Sequence, residues 1–133
     1  MAPESRESGG QQPRAADVST EPDGTVVLRF QRGVRLNATL AQEVVRAQVA
    51  AARGEKRLTL VDLGGLVSSD RASRELGAGP EVTAVVARMA ILVGNPVTRT
   101  LGNFFLRVTS PSYPVRIFGD EARARAWLKE HLS

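Results

Sequence analysis

Two stretches constrain the fold of this chain more than anything else in it. Arg57-Leu58-Thr59-Leu60-Val61-Asp62-Leu63 and Arg88-Met89-Ala90-Ile91-Leu92-Val93 are nearly continuous apolar runs, closed by Gly64-Gly65 and by Gly94. A strand with one wet face alternates apolar and polar residues. These runs do not, so they read as central strands covered on both faces, the signature of a parallel sheet.

A parallel sheet needs crossover helices, and the intervening segments supply them. From Ala38 to Arg53 the residues are strong helix formers, and Leu40, Val44, Ala47 and Ala51 share one helical face. Asn37 can cap this helix, with Thr39 and Gln42 as an alternative capping box, and Gly54 ends it. One of Ser68, Ser69 and Asp70 caps a short helix reaching about Leu76, and Pro80 opens another short one through about Val86. Asn95-Pro96 starts the most amphipathic helix, with Val97, Leu101, Phe104, Phe105 and Val108 as its apolar stripe. Asp120 caps a last helix whose buried stripe is Ala124, Trp127, Leu128 and Leu132.

Three further strands complete the pattern. Thr25 to Phe30 is β-branched and aromatic, Val34-Arg35-Leu36 alternates, and Tyr113 to Phe118 begins with Pro114 where a missing N–H is tolerated. The order ββαβα(α)βαβα predicts an α/β fold. Its sheet is mixed and mostly parallel, of four to five strands with about four helices, and the opening ββ pair forms an antiparallel edge. With 133 residues the chain suits a single domain. Residues 1–21 are polar and read as a disordered tail, leaving 22–133 as the domain.

Composition removes several functions. The chain has no cysteine, so it carries no thiolate nucleophile, Cys-based metal site or disulfide. Its single histidine, His131, sits near the C-terminus and reads as a partner of the last helix end, not a ligand or a triad base. No metal and no cofactor is expected. The formal charge is +4, carried almost wholly by scattered arginines with only Lys56 and Lys129 as lysines. Without a basic run or aromatic–basic interleaving, that excess does not suggest specific nucleic-acid binding. No stretch is apolar enough for a membrane span and Met1 to Thr20 lacks the apolar core of a secretory signal, so the chain reads as cytoplasmic.

The sequence resembles a known family at four places. VVLRFQRGVRLNATLAQEV looks like the opening strand, short glycine-led strand and first helix of the STAS domain, the fold of bacterial anti-sigma-factor antagonists. VDLGGLVSSD looks like that family's third strand and the loop carrying its regulatory serine. VRIFGDEARARAWL is similar to its final strand and helix, and AILVGNPVTRTLGNFF resembles divergent STAS-like domains. The resemblance spans roughly residues 24–133 and implies a divergent STAS-like, SpoIIAA-like domain. Such a domain is a non-enzymatic regulatory module that works by protein–protein interaction. The family presents Asp-Ser at the start of its second helix, and a kinase phosphorylates that serine. Here Asp70 matches the aspartate, but Arg71 follows it, and Ser68, Ser69 and Ser73 are out of register. The standard phospho-serine switch is therefore not expected. A displaced one at Ser69 would place phosphate beside Arg71 and Arg74.

The candidate contact residues gather at the carboxyl ends of the strands, where ligands of parallel sheets collect. They are Ser68, Ser69, Asp70, Arg71 and Arg74 on one side and Asn95, Thr98 and Arg99 on the other. The helix opened by Asn95 offers free N–H groups and an arginine, the ingredients of an anion site. The plainer reading of both segments is ordinary helix capping. Asp62 reads as a structural hydrogen-bonding residue and Trp127 as core. Gly102 inside a helix costs about 1 kcal/mol relative to Ala, so close packing against a neighbouring helix or a partner is expected to offset it. Phe104 and Phe105 either share a wide apolar face, or one turns outward toward an oligomer interface or an apolar ligand pocket. The expected partner is a protein, with a homodimer as a further possibility. The alternative function is binding of a small nucleotide or lipid-like ligand, because STAS-like domains resemble the CRAL-TRIO lipid-binding fold.

Overall fold

The computed structural model of the chain describes residues 12–109 and 111–130. The strands are β1 (Ala16–Thr20), β2 (Val26–Phe30), β3 (Val34–Leu36), β4 (Arg57–Asp62), β5 (Leu66–Ser69), β6 (Val86–Leu92) and β7 (Val115–Phe118). The helices are α1 (Ala38–Ala52), α2 (Arg71–Gly77), α3 (Pro80–Thr83), α4 (Pro96–Thr109) and α5 (Glu121–Lys129). The main sheet has the order β1-β2-β4-β6-β7. Only the β1–β2 pair is antiparallel.

The apolar runs behave as their pattern requires. Along β2, β4 and β6 successive residues enter opposite cores. Val27, Leu60 and Ala90 pack beneath Ala124, Trp127 and Leu128 of α5. Leu28, Val61, Met89 and Ile91 enter the larger core, which α1 fills with Val44, Val45 and Ala51. Trp127 is core, as its spacing predicts, and the Arg88 guanidinium lies 4.1 Å from its ring centroid. Three caps follow the sequence: Asn37 Oδ1 accepts from Leu40 N, Asn95 Oδ1 from Thr98 N, and Asp120 Oδ1 from Ala122 N. His131 and Leu132 lie outside the described residues.

Two expectations fail. The stretch read as a polar tail contains β1, the antiparallel edge strand, with Ala16 paired to Phe30 and Thr20 to Val26. An edge strand needs only one apolar face, and here the small residue Ala16 and Val18 supply it, both buried. The Gln12 amide also bonds both the N–H and the carbonyl of Val18. Average polarity hides so short a face. Residues 1–11 of the expected tail lie outside the described residues. Val34–Leu36, in turn, is a strand but not the antiparallel edge. It pairs in parallel with β5 in a separate two-stranded sheet. Gly33, at a φ of 82°, and Val34 both donate their N–H to the Gly65 carbonyl, which directs the chain toward β5 and away from β2.

A chain of ion pairs fastens α5 across the sheet. Arg29 of β2 bonds Asp62 and Glu121, Glu121 bonds Arg125, and Arg125 bonds Glu21. Hydrogen bonds from Arg29 and then Arg125 hold the Glu121 carboxyl at about 2, below its ordinary 4.5. A carboxylate whose pKa is lower in the folded state stabilises above its unfolded value and loses that contribution as pH falls through the folded one. Replacing Glu121 by Gln is therefore expected to cost about 1 kcal/mol near pH 7, the scale of partly exposed pairs. The gap to wild type should close between pH 4.5 and about 2 in thermal melts followed against pH. Gly65 tests the β3–β5 junction, since a Cβ there would stand 2.2 Å from the Gln31 carbonyl oxygen. Backbone must move to admit it, and Gly65→Ala is expected to lose about 2–3 kcal/mol in denaturant unfolding.

Candidate functional site

The carboxyl end of β4 leads directly into the site. Asp62 turns the chain there: its Oδ1 accepts from Gly64 N at 2.8 Å and its Oδ2 from Arg29 Nη1 at 2.9 Å. Both oxygens thus serve structure, as expected. Gly64 and Gly65 then release β5, so the segment expected as a loop before the second helix is half strand. Ser68 and Ser69 lie in β5, in register with Arg35 and Leu36. Asp70 alone caps α2, accepting from Ser73 N at 2.8 Å, and the buried Ser73 hydroxyl donates to the Asp70 carbonyl. Arg71 is exposed and pairs with Glu75 one turn on. Arg74 reaches back, its Nη1 donating to the Ser69 carbonyl at 2.7 Å and to Ser69 Oγ at 3.2 Å.

The second group is placed differently from its expectation. Thr98 is fully buried. Its Oγ1 accepts from Gly94 N and Asn95 N, while its own N–H goes to Asn95 Oδ1. The N–H groups that suggested an anion site are therefore largely taken, and Thr98 is withdrawn from any contact surface. Asn95 opens instead on a surface depression with Arg32, Asp62, Val67 and Val97. Arg99 points elsewhere, toward Gly119 after β7. The eight candidates do not form one patch: Ser69 and Arg74 join, Asn95 lies beside β5, and Arg99 stands apart.

Helix α4 explains the surface. Its sheet-facing line is Thr98, Gly102 and Phe105. A Cβ on Gly102 would meet Ile117, Val93 and Ile91 at 3.3–3.7 Å, so the glycine lets the helix sit close to the sheet and not to another helix. Val97 and Phe104 stand one residue earlier, about 100° round the helix. They are 53% and 36% exposed, and Val67 of β5, which lines the same depression as Val97, is 41% exposed. The apolar stripe thus splits, with Phe105 inward and Phe104 outward beneath Arg74, whose guanidinium carbon is 4.6 Å from its ring centroid. Arg32 and Arg35 are exposed and make no ion pair with a described residue.

Beneath this surface lies a cavity of about 120 Å³ between the sheet and helices α1, α2 and α4. Phe105, Val61, Ile91 and Val44 are among its apolar walls, and Gln48, Ser73 and Arg74 also line it. Drug-sized ligands occupy pockets of roughly 300–1,000 Å³, above the volume of this one. Gln48 is 4% exposed and its Nε2 has no hydrogen-bond partner. Nothing in the sequence reading singled it out, although a signal was there: a polar residue four positions after Val44 on the apolar face of α1. Among the described residues no group of three His, Asp or Glu side chains is placed to hold a metal ion. No helix among them is long and apolar enough to cross a membrane.

Fold and strand order are those of a SpoIIAA-like fold. A SpoIIAA-like protein of the DUF3478 family from Shewanella loihica PV-4 superposes with a TM-score of 0.58 at 15% identity, over 86% of this chain and 92% of that one. The anti-sigma factor antagonist SpoIIAA in its unphosphorylated form superposes with a TM-score of 0.54 at 19% identity, over 86% and 98%. At these identities the likeness concerns the fold. Residues 19–132 match the domain of unknown function DUF7793, and the chain belongs to that family. No curated protein matches it in sequence.

A buried amide donor without an acceptor costs about 1–3 kcal/mol. Gln48→Leu is accordingly expected to raise the unfolding free energy by about 1–2 kcal/mol in urea titrations.

Proposed function

We propose that this chain is a non-enzymatic regulatory module that binds a protein partner through β5, α2 and the outward flank of α4. The observation that carries the reading is the exposed apolar line Val67, Val97 and Phe104, drawn from two adjacent elements. Isolated exposed apolar residues are ordinary, whereas a contiguous set rimmed by charge marks an interaction surface. The rim here is cationic, with Arg32, Arg35, Arg71 and Arg74, so the complementary partner presents an apolar patch edged by carboxylates.

Several features favour regulation over catalysis. The carboxylate nearest the depression, Asp62, is already committed to Arg29 and Gly64, which leaves no general base there. The resemblance in fold to an anti-sigma factor antagonist points the same way. Regulation by the family's usual serine is not part of the proposal, because Arg71 holds that position. Ser73 is buried with its hydroxyl engaged, and Ser69 Oγ is held by Arg74. The setting that suits this reading is the cytoplasm.

The test starts with capture of partners from the native host by the full chain, followed by titration calorimetry with the purified partner. Val97→Asp and Arg71→Glu are each expected to weaken binding at least tenfold, with melting temperature unchanged, and added salt should weaken it further. Unchanged affinity in both variants would overturn the assignment of this face. A dimer in light scattering that Val97→Asp dissociates would assign the face to a second copy of the chain instead.

A further inference from the structure

We infer that the open edge of β7 receives an extended acidic segment of a partner protein as an added strand. The main sheet ends in β1 on one side and in β7 on the other. Backbone groups of an edge strand turn alternately inward and outward, and the outward ones form a template for another strand. On β1 the N–H and the carbonyl of Val18 are both taken by the Gln12 amide, which plugs that edge near its centre. On β7 the Pro114 and Phe118 carbonyls accept from Met89 N and Val93 N, on the β6 side. Alternation then turns the N–H and carbonyl of Val115 and Ile117 outward. No described residue bonds these groups.

Two arginines bracket the edge, one on each face of the sheet. Gly102 of α4 packs on Ile117, so α4 covers the face to which Ile117 points. From this helix Arg99 reaches the end of the strand, where its Nη2 lies 3.2 Å from the place a Cβ would take on Gly119. Phe118 points to the opposite face and packs on Trp127 of α5, with ring centroids 5.7 Å apart. Arg116, two residues away, shares that face, and its guanidinium carbon is 5.4 Å from the Phe118 centroid. Arg99 and Arg116 are exposed, and neither guanidinium makes an ion pair or hydrogen bond with a described residue. The carboxylates that follow the strand are engaged elsewhere. Asp120 caps α5, and Glu121 bonds Arg29 and Arg125. The free charge at this end of the strand is therefore positive.

That charge selects the occupant. Pairing with a second copy of the chain would bring the same cations together, whereas carboxylates complement them. In strand addition the main-chain bonds supply affinity and alternate side chains supply selectivity. Because Arg99 and Arg116 lie on opposite faces, two acidic residues an odd number of positions apart reach one each.

This edge is separate from the face built by β5 and α2, and the inference does not rest on that face. The experiment adds to the full chain a blocked peptide of about eight residues, within the usual length of a strand. The peptide consists of threonine and valine with two glutamates an odd number of positions apart. Amide hydrogen exchange is read by NMR and affinity by fluorescence anisotropy. The peptide is expected to slow exchange of the Val115 and Ile117 amides at least tenfold. Arg99→Glu and Arg116→Glu should each weaken binding at least tenfold with melting temperature unchanged. Arg71→Glu should leave it within twofold, which separates this edge from the start of α2. Two further peptides carry N-methyl groups on one or the other alternate set of amides. One should lose binding and the other keep it within threefold, because only one side of an added strand pairs. Absence of slowed exchange at Val115 and Ile117 would overturn the proposal, as would equal affinity for a peptide with lysines in place of the glutamates. Equal affinity of the two methylated peptides would overturn strand addition. Slowed exchange of the same amides in the chain alone, with a dimer in light scattering, would overturn the acidic partner in favour of a second copy.

Discussion

The structure depends on the burial of β4 and β6 from both sides. Each strand offers apolar side chains to opposite faces, so neither face can be left to water. One helix, α5, closes the first face with Ala124, Trp127 and Leu128. The other face takes α1, α3 and α4, and the larger core lies there. Parallel pairing follows from this demand, because each crossover delivers a helix to cover the sheet. It also sends the chain out at the carboxyl ends of β2, β4 and β6, where the β3–β5 pair, α2 and the start of α4 assemble.

Those elements meet imperfectly, and the imperfections have physical causes. Gly102 draws α4 onto Ile91, Val93 and Ile117 along a line one residue away from the centre of its apolar stripe. The helix therefore keeps Phe105 for the interior and leaves Val97 and Phe104 outside. Behind Phe105 the packing stops short and the cavity remains. Arg74 spans the two, with its guanidinium against Phe104 outside and its side chain on the cavity wall.

The chain shares its fold with an anti-sigma factor antagonist, and the side chains at the start of α2 are its own. Asp70 caps α2, a role that any short polar acceptor at that position can perform. Arg71 follows it, exposed and paired with Glu75. A shared fold does not by itself carry a function, which rests on the side chains at the site.

Much of the architecture was legible in the sequence because it depends on local signals. The two apolar runs set the parallel sheet, Asn37, Asn95 and Asp120 set helix starts, and the spacing of Ala124, Trp127 and Leu128 set the buried stripe of α5. What was misread depended on partners distant in the chain. β1 is apolar on one short face only and is a strand because β2 offers it an edge. β3 pairs with β5 because Gly65 accepts two N–H groups from Gly33 and Val34, about thirty residues away in sequence. The candidate site divided for the same reason: each helix start was visible alone, but the rotation that buries Thr98 and turns Arg99 away is set by packing against the sheet. Sequence by itself determined which segments must be buried and where helices begin, since periodicity and capping act over a few residues. Only the tertiary structure decided which side chains meet across elements, and so the exposed line of Val67, Val97 and Phe104 and the cavity of Gln48 and Arg74. Those contacts arise from the fit of surfaces, which no local pattern encodes.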